Sequence, residues 1–154
     1  MEDKEYQNVI KSALNTGKTN ELLNIIKQSL ENTSDEKFLL RDLIKKNAQF
    51  LTGLKIDNYL GDFPTFIEPV MLTPGVKIGD TVLLGPNVLI GKDCQLGAFC
   101  ELTNTILLNN VKLGKLCKLK WCIIDENVVL PEKFSAKECF IRKDMKEGFE
   151  IINF

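Results

Sequence analysis

A mainly β fold follows from three observations: a parallel β-helix of about four triangular coils, preceded by an α-helical cap of two to three helices. The first observation is a bulky apolar residue at every sixth position from Phe66 to Ala136, through Leu72, Ile78, Leu84, Ile90, Leu96 and Leu102, then Leu107, Leu113, Leu119, Ile124 and Leu130. A six-residue period fits neither a helix nor a single alternating strand; it is the repeat of a parallel β-helix. The second is phasing. With three hexads per coil the columns become 72/90/107/124, 78/96/113/130 and 66/84/102/119/136. The two five-residue steps, 102 to 107 and 119 to 124, then fall in the same column, so register is preserved. The third is a change of grammar before residue 61, where the hexad stops and helical spacing takes over.

In chain order, residues 1–60 form the helical segment. Tyr6, Val9, Ile10, Ala13 and Leu14 share a helix face, and Gly17 ends it. Thr19 caps a second helix carrying Leu22, Leu23, Ile25, Ile26 and Leu30. Thr33-Ser34-Asp35-Glu36 is a capping box for a third, with Phe38, Leu40, Leu43, Ile44 and Leu51. Gly53 to Thr65, with Gly61 and Pro64, connects to the first coil. These helices are expected on an end of the β-helix, covering an edge open to pairing; a partner-docking bundle is the alternative. Residues 61–141 form the coils. Their second apolar positions stack as Val76/Cys94/Val111/Val128 and Val82/Cys100/Cys117/Phe134, and Gly79, Gly85, Gly91, Gly97 and Gly114 are expected to relax the corners. Residues 142–154, with Phe149, Ile151, Ile152 and Phe154, form a C-terminal cap or an arm to a neighbouring subunit.

Composition excludes several classes. A net charge of −1 gives no bias towards nucleic acid or membrane. The polar start, Met1-Glu2-Asp3-Lys4-Glu5, is no secretory signal, and no apolar run nears the ~20 residues of a membrane span, so a cytoplasmic protein is expected. Of five Cys, three (Cys94, Cys100, Cys117) occupy repeat positions shared with Val and read as small buried hydrophobes. A Cys100–Cys117 disulfide between adjacent coils is disfavoured in a reducing compartment. The chain has no His and no Cys-x-x-Cys, so no metal site is expected.

The hexad string resembles the left-handed β-helix superfamily of hexapeptide-repeat transferases. Within it, the stretch from Ile90-Gly91-Lys92-Asp93-Cys94 through Leu96-Gly97-Ala98-Phe99-Cys100 to Leu113-Gly114, with a pentad at Asn104-Thr105, is similar to the C-terminal domain of sugar-1-phosphate nucleotidyltransferases. That group includes the bifunctional pyrophosphorylase/acetyltransferase that makes UDP-N-acetylglucosamine. Cys122-Ile123-Ile124-Asp125-Glu126-Asn127-Val128 resembles the pentad and hexad of ADP-glucose and GDP-mannose pyrophosphorylases. The resemblance implies a left-handed coil, a homotrimer and a place in sugar-nucleotide biosynthesis. Along Gly114-Lys115-Leu116-Cys117-Lys118-Leu119-Lys120-Trp121-Cys122, however, Lys115 stands where the acetyltransferases carry their catalytic His, and Cys117 and Lys118 replace Ser and Tyr. The sequence also holds no Gly-rich phosphate loop of the nucleotidyltransferase kind, so nucleotidyl transfer by this chain alone is not expected.

Two readings of function remain. In the preferred one the chain is a non-catalytic assembly or regulatory module, trimeric, serving a separately encoded nucleotidyltransferase. In the alternative it is a CoA-dependent sugar acyltransferase that uses acetyl-CoA at an intersubunit groove. Acyl transfer needs a base near neutral pH, and without His the candidates are Glu101, Asp125, Glu126 or a Lys115 of depressed pKa. Lys112, Lys115, Lys118 and Lys120 read as a solvated basic ridge, or as a site for the phosphates of CoA or a sugar phosphate. Trp121 beside them would stack on a base or sugar, or fill a subunit interface. A ligand-free structural trimer is the third class.

Overall fold

The computed structural model describes residues 54–56, 60, 61, 63–144, 146 and 148–153. The three helices expected in residues 1–60 lie outside the described residues. The chain winds as a parallel β-solenoid of about five turns, one more than the hexads suggest, because the first coil departs from the hexad spacing. Its register advances by sixteen residues, Leu54 pairing with Val70, where later coils take seventeen or eighteen.

Each coil visits three faces. Face I contains β1 (Leu54–Ile56), β4 (Val70–Leu72), β7 (Val88–Ile90) and β10 (Thr105–Leu107). Face III contains β2 (Leu60–Gly61), β5 (Lys77–Ile78), β8 (Gln95–Leu96), β11 (Lys112–Leu113) and β13 (Val129–Leu130). Face II contains β3 (Thr65–Phe66), β6 (Leu83–Leu84) and β9 (Glu101–Thr103). Two longer strands, β12 (Lys118–Ile124) and β14 (Ser135–Asp144), begin on face II and end on face I.

Within a strand, alternate side chains face opposite ways, so one residue in two enters the prism. The columns predicted from the hexads are the observed registers: Leu72 with Ile90, Ile90 with Leu107, and Leu107 with Ile124 on face I. Ile78, Leu96, Leu113 and Leu130 stack on face III, and Phe66, Leu84, Leu102, Leu119 and Ala136 on face II. Together with Val76, Cys94, Val111 and Val128 they form the core. Each coil contributes a few apolar residues and gains a buried face only by stacking on its neighbours. Two buried hydroxyls are satisfied within this interior, Thr73 donating to the Ile90 carbonyl at 3.0 Å and Thr105 to that of Thr103 at 2.8 Å.

The corners correct the expectation for most of the hexad glycines. The sharp turns are made by left-handed residues in columns: Phe63/Thr81/Phe99/Leu116/Lys133 between faces III and II, Asn87/Asn104/Trp121/Glu138 between II and I, and Gly75/Asp93/Asn110/Asn127 between I and III. Asn tolerates this conformation and adds ladders, Asn87 Nδ2 to Asn104 Oδ1 at 2.7 Å and Asn110 Nδ2 to Asn127 Oδ1 at 2.8 Å. Of the hexad glycines, Gly85 does turn a corner as expected, with φ of 114° between faces II and I; the others serve close approach instead. A Cβ on Gly97 would lie 2.6 Å from the backbone nitrogen of Lys115, and one on Gly114 2.6 Å from that of Glu132. Neither residue has a positive φ. At the C-terminal end β15 (Gly148–Asn153) pairs antiparallel with β14. It sets Phe149 against the core and edge-on to Phe134, ring centres 5.3 Å apart.

Candidate ligand-binding face

Face II is where register gathers polar chemistry. Its outward residues form two rungs across three coils: Glu101–Lys118–Ser135 and Thr103–Lys120–Lys137. Neighbouring strands lie about 4.8 Å apart, so Lys120 and Lys137 are held side by side by the backbone. These six, with Leu119 and Ala136 as the floor, line an open cleft of about 570 Å³. Lys118, Lys120, Lys137, Glu101 and Ser135 are exposed, and Thr103 is half-buried. Among the described residues no ion pair engages the three lysines. A strip of three ammonium groups beside a serine hydroxyl suits an anion with several oxygens, such as a phosphate or diphosphate.

The lysines singled out in the sequence do not form one ridge. Lys112 projects from face III, between Gln95 and Val129. Lys115 is exposed in the turn between faces III and II, next to left-handed Leu116. Only Lys118 and Lys120 share a face, and they share it with Glu101. Trp121 is half-buried at the corner where β12 passes from face II to face I. Asp125 and Glu126 lie at the corner remote from face II, where the Asp125 carboxylate accepts the Glu126 N–H at 2.8 Å. The candidate bases are therefore dispersed around the prism. Lys137, Ser135 and Thr103 escape a local reading of the sequence. Adding seventeen residues to Lys120, the register of that coil, reaches Lys137.

All five Cys are free and buried. Three of the thiols have pKa values pushed up and offer no nucleophile, while contact with Cys100 lowers that of Cys117 to about 7 and contact with Cys122 lowers that of Cys139. Cys94, Cys100 and Cys117 each donate to a carbonyl of the next coil, those of Leu108, Gly114 and Pro131, at 3.1, 3.1 and 3.2 Å. Cys122 and Cys139 are register neighbours with sulfurs 3.6 Å apart. Burial pushes the Cys94 thiol up to about 12. Cys100 and Cys122 are raised as well, first by thiol contact with Cys117 and Cys139 and then by burial. A raised thiol is protonated and unreactive at neutral pH. Among the described residues no cluster of three or more His, Cys, Asp or Glu could hold a metal ion, and no helix is long and apolar enough to cross a membrane.

No curated protein matches the chain. Residues 66–146, just over half of it and nearly all of the solenoid, match the family model of the GMPPB C-terminal domain. The stacked hexads, the shared column of short steps and this match agree: the chain belongs to the GMPPB C-terminal domain family, the β-helix domain of sugar-1-phosphate nucleotidyltransferases, and is thereby related to sugar-nucleotide biosynthesis.

Proposed function

We propose that this chain is a non-catalytic module that binds a phosphorylated sugar or sugar nucleotide on face II and organises or regulates a separately encoded nucleotidyltransferase. The observation that carries this reading is the juxtaposition of Lys118, Lys120 and Lys137 with Ser135 on one open face. Charge and hydroxyl donors are gathered there, while the residues able to act as bases are spread over three parts of the prism. Lys115, in the place of the acetyltransferase His, is an exposed turn residue. General acid–base work needs a group held within hydrogen-bond reach of the proton it moves.

Self-association fits the same surface. The corner between faces III and II carries Phe63, Phe99 and Leu116, exposed to 86, 50 and 42 %. All three are held in the left-handed region that bulky residues seldom adopt. A homotrimer joined along this ridge would place the face II cleft beside each subunit contact. Sedimentation of Phe99→Lys against the unmodified chain tests this: trimer falling to monomer supports the ridge, and an unchanged trimer removes it.

Thermal unfolding with UDP-sugar, GDP-sugar, CoA and acetyl-CoA, alongside an acetyl-transfer assay, tests the function. A ligand at one hundred times its Kd adds about 2.7 kcal/mol of stability. Stabilisation by a sugar nucleotide without turnover is the expected result. Acetyl transfer abolished by Glu101→Gln, which removes the carboxylate of the face II cleft, would replace this reading with the acyltransferase.

A further inference from the structure

The face II cleft is not alike at its two ends. On face I the outward residues, such as Met71, Leu89 and Ile123, are apolar and buried. On face III the outward row of Lys77, Gln95 and Lys112 holds no carboxylate. Face II sets a carboxylate in register with cations: β9 supplies Glu101 and Thr103, β12 supplies Lys118 and Lys120, and β14 supplies Ser135 and Lys137. Hydrogen-bonding capacity changes along the same axis. At the β9 end an ionised Glu101 only accepts, and Thr103 already donates its proton to the Gly85 carbonyl at 3.4 Å, which leaves its oxygen to accept. At the other end the three lysines only donate. Lys118 is the register partner of Glu101, yet among the described residues no ion pair or side-chain hydrogen bond engages either one. The Glu101 carboxylate is exposed and open to a ligand.

We infer that Glu101 and Thr103 read sugar hydroxyls: the face II ligand lies across the strands with its phosphate on Lys118, Lys120 and Lys137 and the free hydroxyls of its sugar on Glu101 and Thr103. This deepens the anion-binding reading of face II and rests on it. A ligand that satisfies both ends brings acceptor oxygens to one and hydroxyl donors to the other, and a phosphorylated sugar does both. The spacing agrees. β9 and β12 are neighbouring strands, about 4.8 Å apart, so the ring attached to a phosphate held at β12 and β14 reaches β9. The cleft, about 570 Å³, is of the size that small molecules fill. Hydroxyl donors to a carboxylate make charge-assisted bonds, stronger than those between neutral groups. Glu101 also excludes. A phosphate laid at the β9 end meets a like charge, and such repulsion selects between ligands as much as attraction does. In a sugar nucleotide the diphosphate therefore sits on the lysines, with the sugar and not the base turned to β9.

Calorimetric titration of glucose, mannose and galactose 1-phosphates, and of methyl phosphate, into the unmodified chain and into Glu101→Gln tests the assignment. Methyl phosphate carries the same anionic group and no hydroxyls. The unmodified chain is expected to prefer the best of the three sugar phosphates over methyl phosphate by about tenfold. In Glu101→Gln that preference should fall to about twofold or less, with methyl phosphate binding more tightly because a nearby negative charge is gone. Glu101 is exposed, so the fold is expected to survive, checked by an unchanged Tm. Equal binding of methyl and sugar phosphates to the unmodified chain, or a preference kept in Glu101→Gln, would overturn this inference while leaving the lysine site in place. Binding of none of these phosphates to the unmodified chain would overturn the face II reading itself, and this inference with it.

Discussion

At the scale of single residues, glycine is the most informative type. The spacing of the hexad glycines suggests corner residues, in keeping with their conformational freedom. Gly85 alone of them takes a positive φ at a corner; the other corners are occupied chiefly by Asn, Asp and Thr, with Trp121 and, against expectation, Phe and Leu. Gly97 and Gly114 are small because the next coil's backbone passes where a Cβ would stand. Gly97→Ala should lower stability by about 1–3 kcal/mol through overpacking, read as a fall in Tm; an unchanged Tm would show that the coils part freely. The thiols give a second prediction. Cys94 titrates near 12 in the folded state against an ordinary 9.0, so the folded chain holds its proton more tightly. Its contribution is complete below pH 9 and is lost as pH rises from 9 towards 12. Chemical unfolding should therefore show the Cys94 part of the stability unchanged below pH 8. Between pH 9 and 12 it should fall by a few kcal/mol, on the order of 1.4 kcal/mol for each pH unit crossed. A Cys94→Val variant should show a smaller fall; an identical fall would assign the loss to other groups.

At the scale of elements, register was the legible part. The five-residue steps at 102–107 and 119–124 placed every strand of faces I and II in the observed alignment from Phe66 onward. The reason is physical: one inward residue in error would turn a whole strand inside out. What lay outside the pattern was less readable. The first coil keeps no hexad spacing, and Lys137 enters the face II cleft only through stacking. The left-handed Phe99, Leu116 and Trp121 carry no sequence mark, because bulky residues are disfavoured there. The ends of the solenoid are a separate matter of packing. β15 binds β14 by a ladder that includes an Arg142 Nε–Glu150 Oε2 contact of 2.8 Å, with both groups half-exposed and worth little by itself. Its anchor is Phe149 against Phe134. A double-mutant cycle of Phe149→Ala and Phe134→Ala should give a coupling of about 0.5–1.5 kcal/mol; additive losses would mean that the two rings act independently.

At the scale of the whole molecule, three faces of one prism have three characters. Face III bears scattered polar side chains, face I an outer apolar row sealed from water, and face II a strip of cations beside a hydroxyl. A repeat protein can specialise its faces this way because outward positions carry no packing constraint from the core. The same freedom explains why the scaffold was readable from the sequence and its use was not: inward residues obey a period, and outward ones do not. Calorimetric titration of UDP- and GDP-sugars into the unmodified chain and into Lys120→Glu/Lys137→Glu is the most direct measurement. Binding to the unmodified chain that weakens with added salt and falls at least tenfold in the double variant is predicted, with unfolding temperature maintained. Equal affinity in both chains, or no binding to either, would contradict face II as the ligand site.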